Sequence, residues 1–158
     1  MADEKEKKRA EATYRALCAM LDENDWHYEK NEEKLSILCS AKGDDLSIPI
    51  RMAVDVERQF VMLTSPMPFE IPEDRRASVA VAVALANHGL IDGSFDYDFL
   101  TGNLLFRLTS SFVESIVDRE LLEYMLYVSC NTIDEYNDKF LAVSETDMSF
   151  DEIVKFIE

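Results

Sequence analysis

His27, His88, Cys18, Cys39 and Cys130 are the only imidazole and thiol groups in the chain. A structural zinc site needs four such ligands in close-spaced pairs, and no C-x-x-C or comparable spacing occurs. His27 falls on the polar side of a strand pattern and His88 at a helix end beside Gly89, which predicts surface or structural roles for both. Cys18 and Cys39 sit in apolar patterns, where a buried thiol behaves as a small hydrophobe and not as a nucleophile. No G-x-S-x-G elbow, phosphate-binding P-loop or G-x-G-x-x-G stretch is present, so serine-hydrolase and nucleotide chemistry have no support.

Asp92, Ser94, Asp96 and Asp98 place oxygen ligands at alternate positions, as a calcium loop does. An EF-hand needs glycine at its sixth position and a bidentate glutamate at its twelfth; here those positions hold Tyr97 and Asn103. A strand with a polar outer face explains the same four residues. No pair of carboxylates stands out for general acid–base work in so acidic a chain. The expected catalytic, cofactor-binding and metal-binding residue sets are therefore empty.

The elements follow from apolar periodicity. Ala10, Tyr14, Leu17 and Leu21 recur at helical spacing, predicting a helix from Asp3 to about Asp25 whose charged opening, residues 1–9, frays. Trp26 and Tyr28, a turn at Asn31-Glu32, then Leu35, Ile37 and Cys39 read as a hairpin. Leu46, Ile48, Ile50, Met52 and Val54 alternate with Ser47, Pro49, Arg51, Ala53 and Asp55, the clearest strand pattern in the chain. Pro49 cannot donate to a ladder and predicts an edge or a bulge there. Phe60–Thr64 gives a fourth strand. After Pro66, Pro68 and Pro72 comes a small-residue helix, ASVAVAVALAN. A second hairpin runs through Phe95, Tyr97 and Phe99, turns at Thr101-Gly102-Asn103 and returns through Leu104, Phe106 and Leu108. A long helix from Asp118 to Val143 presents Leu122, Met125, Ser129, Thr132, Tyr136 and Phe140, and Ser149 with Glu152 forms a capping box for a short last helix.

The order is thus α-β-β-β-β-α-β-β-α plus a short C-terminal helix. Clustered strands without regular βα alternation predict an α+β fold, an antiparallel sheet with helices packed on it. Its 158 residues suit one domain, residues 1–158, with 144–158 as a C-terminal extension.

Net charge is −16, and Val113–Glu158 carries 12 acidic against 3 basic residues. Phosphate recognition demands a basic surface, so neither nucleic acid nor an anionic membrane is an expected partner. The longest apolar run, Val79–Ala86, is far short of the roughly 20 residues of a membrane helix, and the opening MADEKEKKRAEA is not a secretory signal. With three unpaired cysteines, these features predict a cytoplasmic protein.

Two stretches carry a family resemblance. MLTSPMPFEIPEDRRASVAVAVALAN, Met62–Asn87, is a strand ending in a proline-punctuated loop before a helix opening on "IPEDRR". GSFDYDFLTGNLLFRLT, Gly93–Thr109, is a hairpin with Asp98, a Thr101-Gly102 turn and a Phe106-Arg107 return strand. Together they resemble the YbjN-type domain. That resemblance implies a fold like that of type III secretion chaperones, in bacterial proteins described as sensory transduction regulators. It brings no catalytic residues with it. The function it implies is a non-enzymatic protein-binding module, chaperone-like or regulatory, acting on a protein or peptide partner and forming a homodimer. The competing reading is a small hydrolase or transferase with a dispersed acidic site. The first requires an exposed apolar surface, the second a concave pocket with convergent titratable groups.

Overall fold

A computed structural model describes all residues, Met1–Glu158. The chain forms α1 (Glu4–Glu23), β1 (Tyr28–Asn31), β2 (Ser36–Lys42), β3 (Ser47–Asp55), β4 (Phe60–Pro66), a 3-10 turn (Glu73–Arg75), α2 (Arg76–Gly89), β5 (Ser94–Asp98), β6 (Asn103–Ser111), α3 (Arg119–Glu145) and α4 (Phe150–Ile157). This is the α+β order that the sequence predicts.

The six strands form one antiparallel sheet in the order β1-β2-β3-β4-β6-β5. The alternating residues of β3 set its sidedness: Ile48, Ile50, Met52 and Val54 are buried. Val61, Leu63, Leu104, Phe106 and Phe95 continue that face across the sheet. They join buried residues from all four helices in one core of 31 side chains. Phe95 makes edge-to-face contacts with Phe106, Tyr136 and Phe140, at centroid distances of 5.2, 5.7 and 4.8 Å, which ties β5 and β6 to α3.

Local signals start the helices. Asp3 caps α1 in a box with Glu6, so the charged opening EKEKKR forms the first helical turns. Ser149 and Glu152 cap α4 in the same way, and Ile153 and Ile157 are buried. The capping residue of α3 is Asp118.

The two stretches that carry the resemblance interlock. Arg76, the last residue of "IPEDRR", donates through Nη1 to Leu100 O at 2.5 Å and accepts from the Tyr97 hydroxyl at its own carbonyl, 3.1 Å away. Gly102 has φ +78°, and a Cβ there would stand 3.0 Å from both Arg76 Nε and Ile71 O. Asp98 accepts from Leu100 N and Thr101 Oγ1, which fixes the turn and holds its carboxyl below the usual carboxylate range. These motif residues are a joint between α2 and the second hairpin.

Three expectations are corrected in detail. Pro49 lies in β3, an interior strand; the ladder from β3 to β4 starts only at Arg51↔Thr64, so Pro49 has a paired neighbour, Ser40, on one side alone. The missing N–H is tolerated because the strand is locally unpaired there, not because β3 is an edge. Phe99 leaves the strand at the turn and is exposed. On α3 the buried line runs through Ile133 and Asn137, with Thr132 and Tyr136 half-buried beside it.

Candidate functional site

All core-facing strand residues point to the helical side, so the opposite face of the sheet carries no helix. Registered pairs define it. One row crosses all six strands: Glu29, Leu38, Arg51, Thr64, Arg107 and Ser94. The next row carries Ala53, Met62 and Thr109, and Phe60 lies beyond it. Antiparallel sheets often leave one face to water, and such a face is ordinarily polar. Here Leu38 is 51% exposed, and Phe60, Met62 and Leu105 are half-buried among residues of the same face.

Two arginines stand in the central row on β3 and β6, with β4 between them, about 10 Å apart by strand spacing. Arg107 Nε binds Asp96 Oδ2 at 2.9 Å. Arg51 makes no salt bridge. Its guanidinium therefore keeps its fork of donors available for a carboxylate. Depressions of about 290 and 360 Å³ flank it and share Lys34 and Arg51. Leu, Met, Phe and Arg are residues of kinds that protein interfaces favour.

Both edges of the sheet are guarded. β1 is four residues long, and Glu29, Lys30 and Asn31 are exposed. On β5, the Asn87 side chain from α2 mimics a neighbouring strand: its Nδ2 donates to Phe95 O at 2.9 Å and its Oδ1 accepts from Phe95 N at 2.8 Å. The open face is thus a better docking surface than either edge.

The nucleophiles and bases named from the sequence do not converge. His88 is exposed at the end of α2. His27 is exposed and lines a shallow depression of about 490 Å³ together with Cys39. Burial and the nearby Cys130 push the Cys39 thiol up to about 12, and burial and Asp134 push Cys130 up to about 11. That is the reverse of an activated nucleophile. Both thiols are protonated at neutral pH, so iodoacetamide at pH 8 is expected to label them at least about a hundredfold more slowly in the native protein than in urea. Equal rates in the two states would contradict their placement.

The four residues weighed and set aside as a calcium loop are likewise divided. Asp92 accepts from the Tyr124 hydroxyl at 2.5 Å, Asp96 takes Arg107, and Asp98 closes its turn. No three His, Cys, Asp or Glu side chains gather as metal ligands. The residues that the sequence reading did not single out are Leu38, Arg51, Met62 and Leu105. Their only signal was a polar strand face carrying apolar residues.

No protein-family model matches the chain, and no curated protein matches it. Solved structures do. YbjN from E. coli, a candidate transcription regulator, superposes with a TM-score of 0.60 over 82% of this chain and 91% of its own, at 10% identity. The chain has the YbjN-like fold. The ExsC-ExsE complex matches with a TM-score of 0.50 at 15% identity, covering 79% of this chain and 90% of that one. The HopA1-SchA chaperone–effector complex gives 0.46 at 12% identity, covering 86% and 97%. The YbjN-like α+β architecture expected from the sequence is therefore present, and its open sheet face has no helical cover. No helix is long and apolar enough to cross a membrane.

Proposed function

We propose that this chain is a non-enzymatic protein-binding module, chaperone-like or regulatory, that works in the cytoplasm and holds a protein or peptide partner on its open sheet face. The observation that carries this reading is the open face itself, with Leu38 and the unpaired Arg51 in its central row and Met62 and Phe60 in the rows beside it. The likeness to a chain of the ExsC-ExsE complex, a protein solved with a protein partner, supports it at the level of fold. The dispersion of the histidines, cysteines and carboxylates supports the non-catalytic half. Nothing specific favours the hydrolase or transferase alternative.

The test is loss of a partner without loss of fold. Arg51→Glu and Met62→Glu place an acid on the open face, away from the core. Each is expected to weaken the partner that co-purifies from the native cell by at least about 30-fold, the size of an interface hot spot, with an unchanged thermal midpoint. Undiminished binding in both variants would remove the open face from the account.

The module is also proposed to form a homodimer. Guarded edges favour side-chain packing over a continuous intermolecular sheet. Two subunits of net charge −16 repel, so added salt is expected to tighten the dimer in sedimentation equilibrium. A monomer at every protein concentration and ionic strength would sink the dimer and leave the binding face standing.

A further inference from the structure

A groove of about 940 Å³ that shares no lining residue with the open sheet face lies between α1 and the Ser115–Arg119 segment that leads into α3. It runs along α1 from Glu4 to Ala19. At 1.5 Å rise per residue that is about 22 Å, the length of about four turns of a partner helix. Ala12, Ala16 and Ala19 form its floor, spaced by four and three residues so that they share one stripe of the helix. Methyl side chains leave room for a second backbone to come close. One wall carries Ile116, which is 86% exposed and packs against nothing that would explain a large apolar side chain there.

Five cations, Lys5, Lys8, Arg9, Arg15 and Arg119, line the groove with the carboxylates of Glu4 and Asp118, while Glu11, Glu23 and Glu114 pair with them from its border. Glu114, immediately before the wall segment, accepts from Arg9 Nη2 at 2.8 Å and Lys5 Nζ at 3.3 Å. Those two cations hold its carboxyl below the usual range. Lys8 and Arg15 make looser exposed pairs, at 3.6 Å with Glu4 and 3.9 Å with Glu11, and Arg119 pairs with Glu23. Exposed pairs of this kind contribute little and exchange readily for another carboxylate.

We infer that this groove docks an acidic amphipathic helix of a partner protein, with apolar residues seated on the alanine floor against Ile116 and carboxylates taken up by Lys8, Arg15 and Arg119. Arg9, Lys5 and Glu114 serve as the clamp that holds the wall in place. The mode is helix-in-groove recognition with charge at the rim setting direction and on-rate. The inference goes beyond the open-face reading and does not depend on it.

The test uses the full chain and a fluorescent synthetic helix of about 15 residues, enough to span the groove, with leucines on one face and glutamates flanking them. Two control peptides replace every glutamate by lysine or every leucine by serine. Binding of the glutamate–leucine peptide is expected by anisotropy, with both controls at least about tenfold weaker, and with affinity falling between about 20 and about 200 mM salt. Lys8→Glu with Arg15→Glu changes two exposed side chains and is expected to weaken the peptide at least about tenfold, whereas Met62→Glu leaves it unchanged. Equal binding of the glutamate and lysine peptides, or an affinity indifferent to the Lys8/Arg15 reversal, would overturn the inference. So would phosphatidylglycerol vesicles that sediment the protein through Lys8 and Arg15 while the peptide fails to bind, since the rim would then serve a membrane. Peptide that competes with self-association instead of binding the monomer would assign the groove to a second copy and overturn the inference as well.

Discussion

Replacing Phe106 by alanine should destabilise the protein by about 3–5 kcal/mol, the range for removing a buried aromatic side chain. Phe106 is fully buried on β6, packs edge-to-face on Phe95 and lies at the meeting of β5, β6 and α3. Its removal opens a cavity whose walls are a sheet and the aromatic cluster of Phe95, Tyr136 and Phe140, none of which can collapse without moving a main chain. Denaturant melts of the wild type and the variant measure the loss. A cost below about 1 kcal/mol would mean that the cluster is loosely packed.

The second large effect comes from a missing atom. Gly93 has φ +74°, and a Cβ added there would meet Phe106 Cζ at 2.5 Å and Arg107 O at 2.8 Å. Gly93→Ala therefore combines a left-handed backbone with overpacking against an atom of the main chain, and should cost about 2–4 kcal/mol. Gly89→Ala is the matched control: nothing lies within 4 Å of its Cβ position, and it ends α2. That change should be neutral or stabilise by up to about 1 kcal/mol. Since Gly93 meets the tip of the Phe106 ring, Gly93→Ala combined with Phe106→Leu should cost less than the sum of the two single changes. Strict additivity would show that the ring tip is not what Gly93 accommodates.

Element existence was legible because each element carries its own period or cap. Leu46–Val54 alternates at a spacing of two, Ala10–Leu21 recurs at helical spacing, and Ser149 with Glu152 closes a box visible within four residues. Strand order was not legible. Alternation reports which face of a strand is buried and says nothing of its neighbours, so the insertion of β6 between β4 and β5 left no local mark. Pro49 illustrates the same limit. Its chemistry correctly demands a missing ladder bond, but only the staggered end of β4 reveals that an interior strand can supply one. The drift of the α3 stripe to Ile133 and Asn137 follows from a 27-residue helix packing on both α1 and α2, which no single stripe describes.

The candidate site was legible only in part. Arg51 and Ala53 were visible as the outward residues of β3, and Met62 and Arg107 as residues of neighbouring strands. Their assembly into two adjoining rows of one face is a consequence of register, which sequence spacing does not encode. The alanine stripe of α1 carries no local mark of a groove, because its wall, Ser115–Arg119, is about a hundred residues distant in the chain.

The central claim is that the open sheet face holds a protein partner. The most direct measurement places a photo-crosslinking amino acid at Met62 on that face and, in a separate variant, at Ala84 on the exposed side of α2, and irradiates the native cell. The account predicts a discrete protein adduct from position 62, abolished by Arg51→Glu in the same chain, and none from position 84. An adduct from position 84 alone, or none from position 62 in cells that contain the partner co-purified by the wild-type chain, would contradict it.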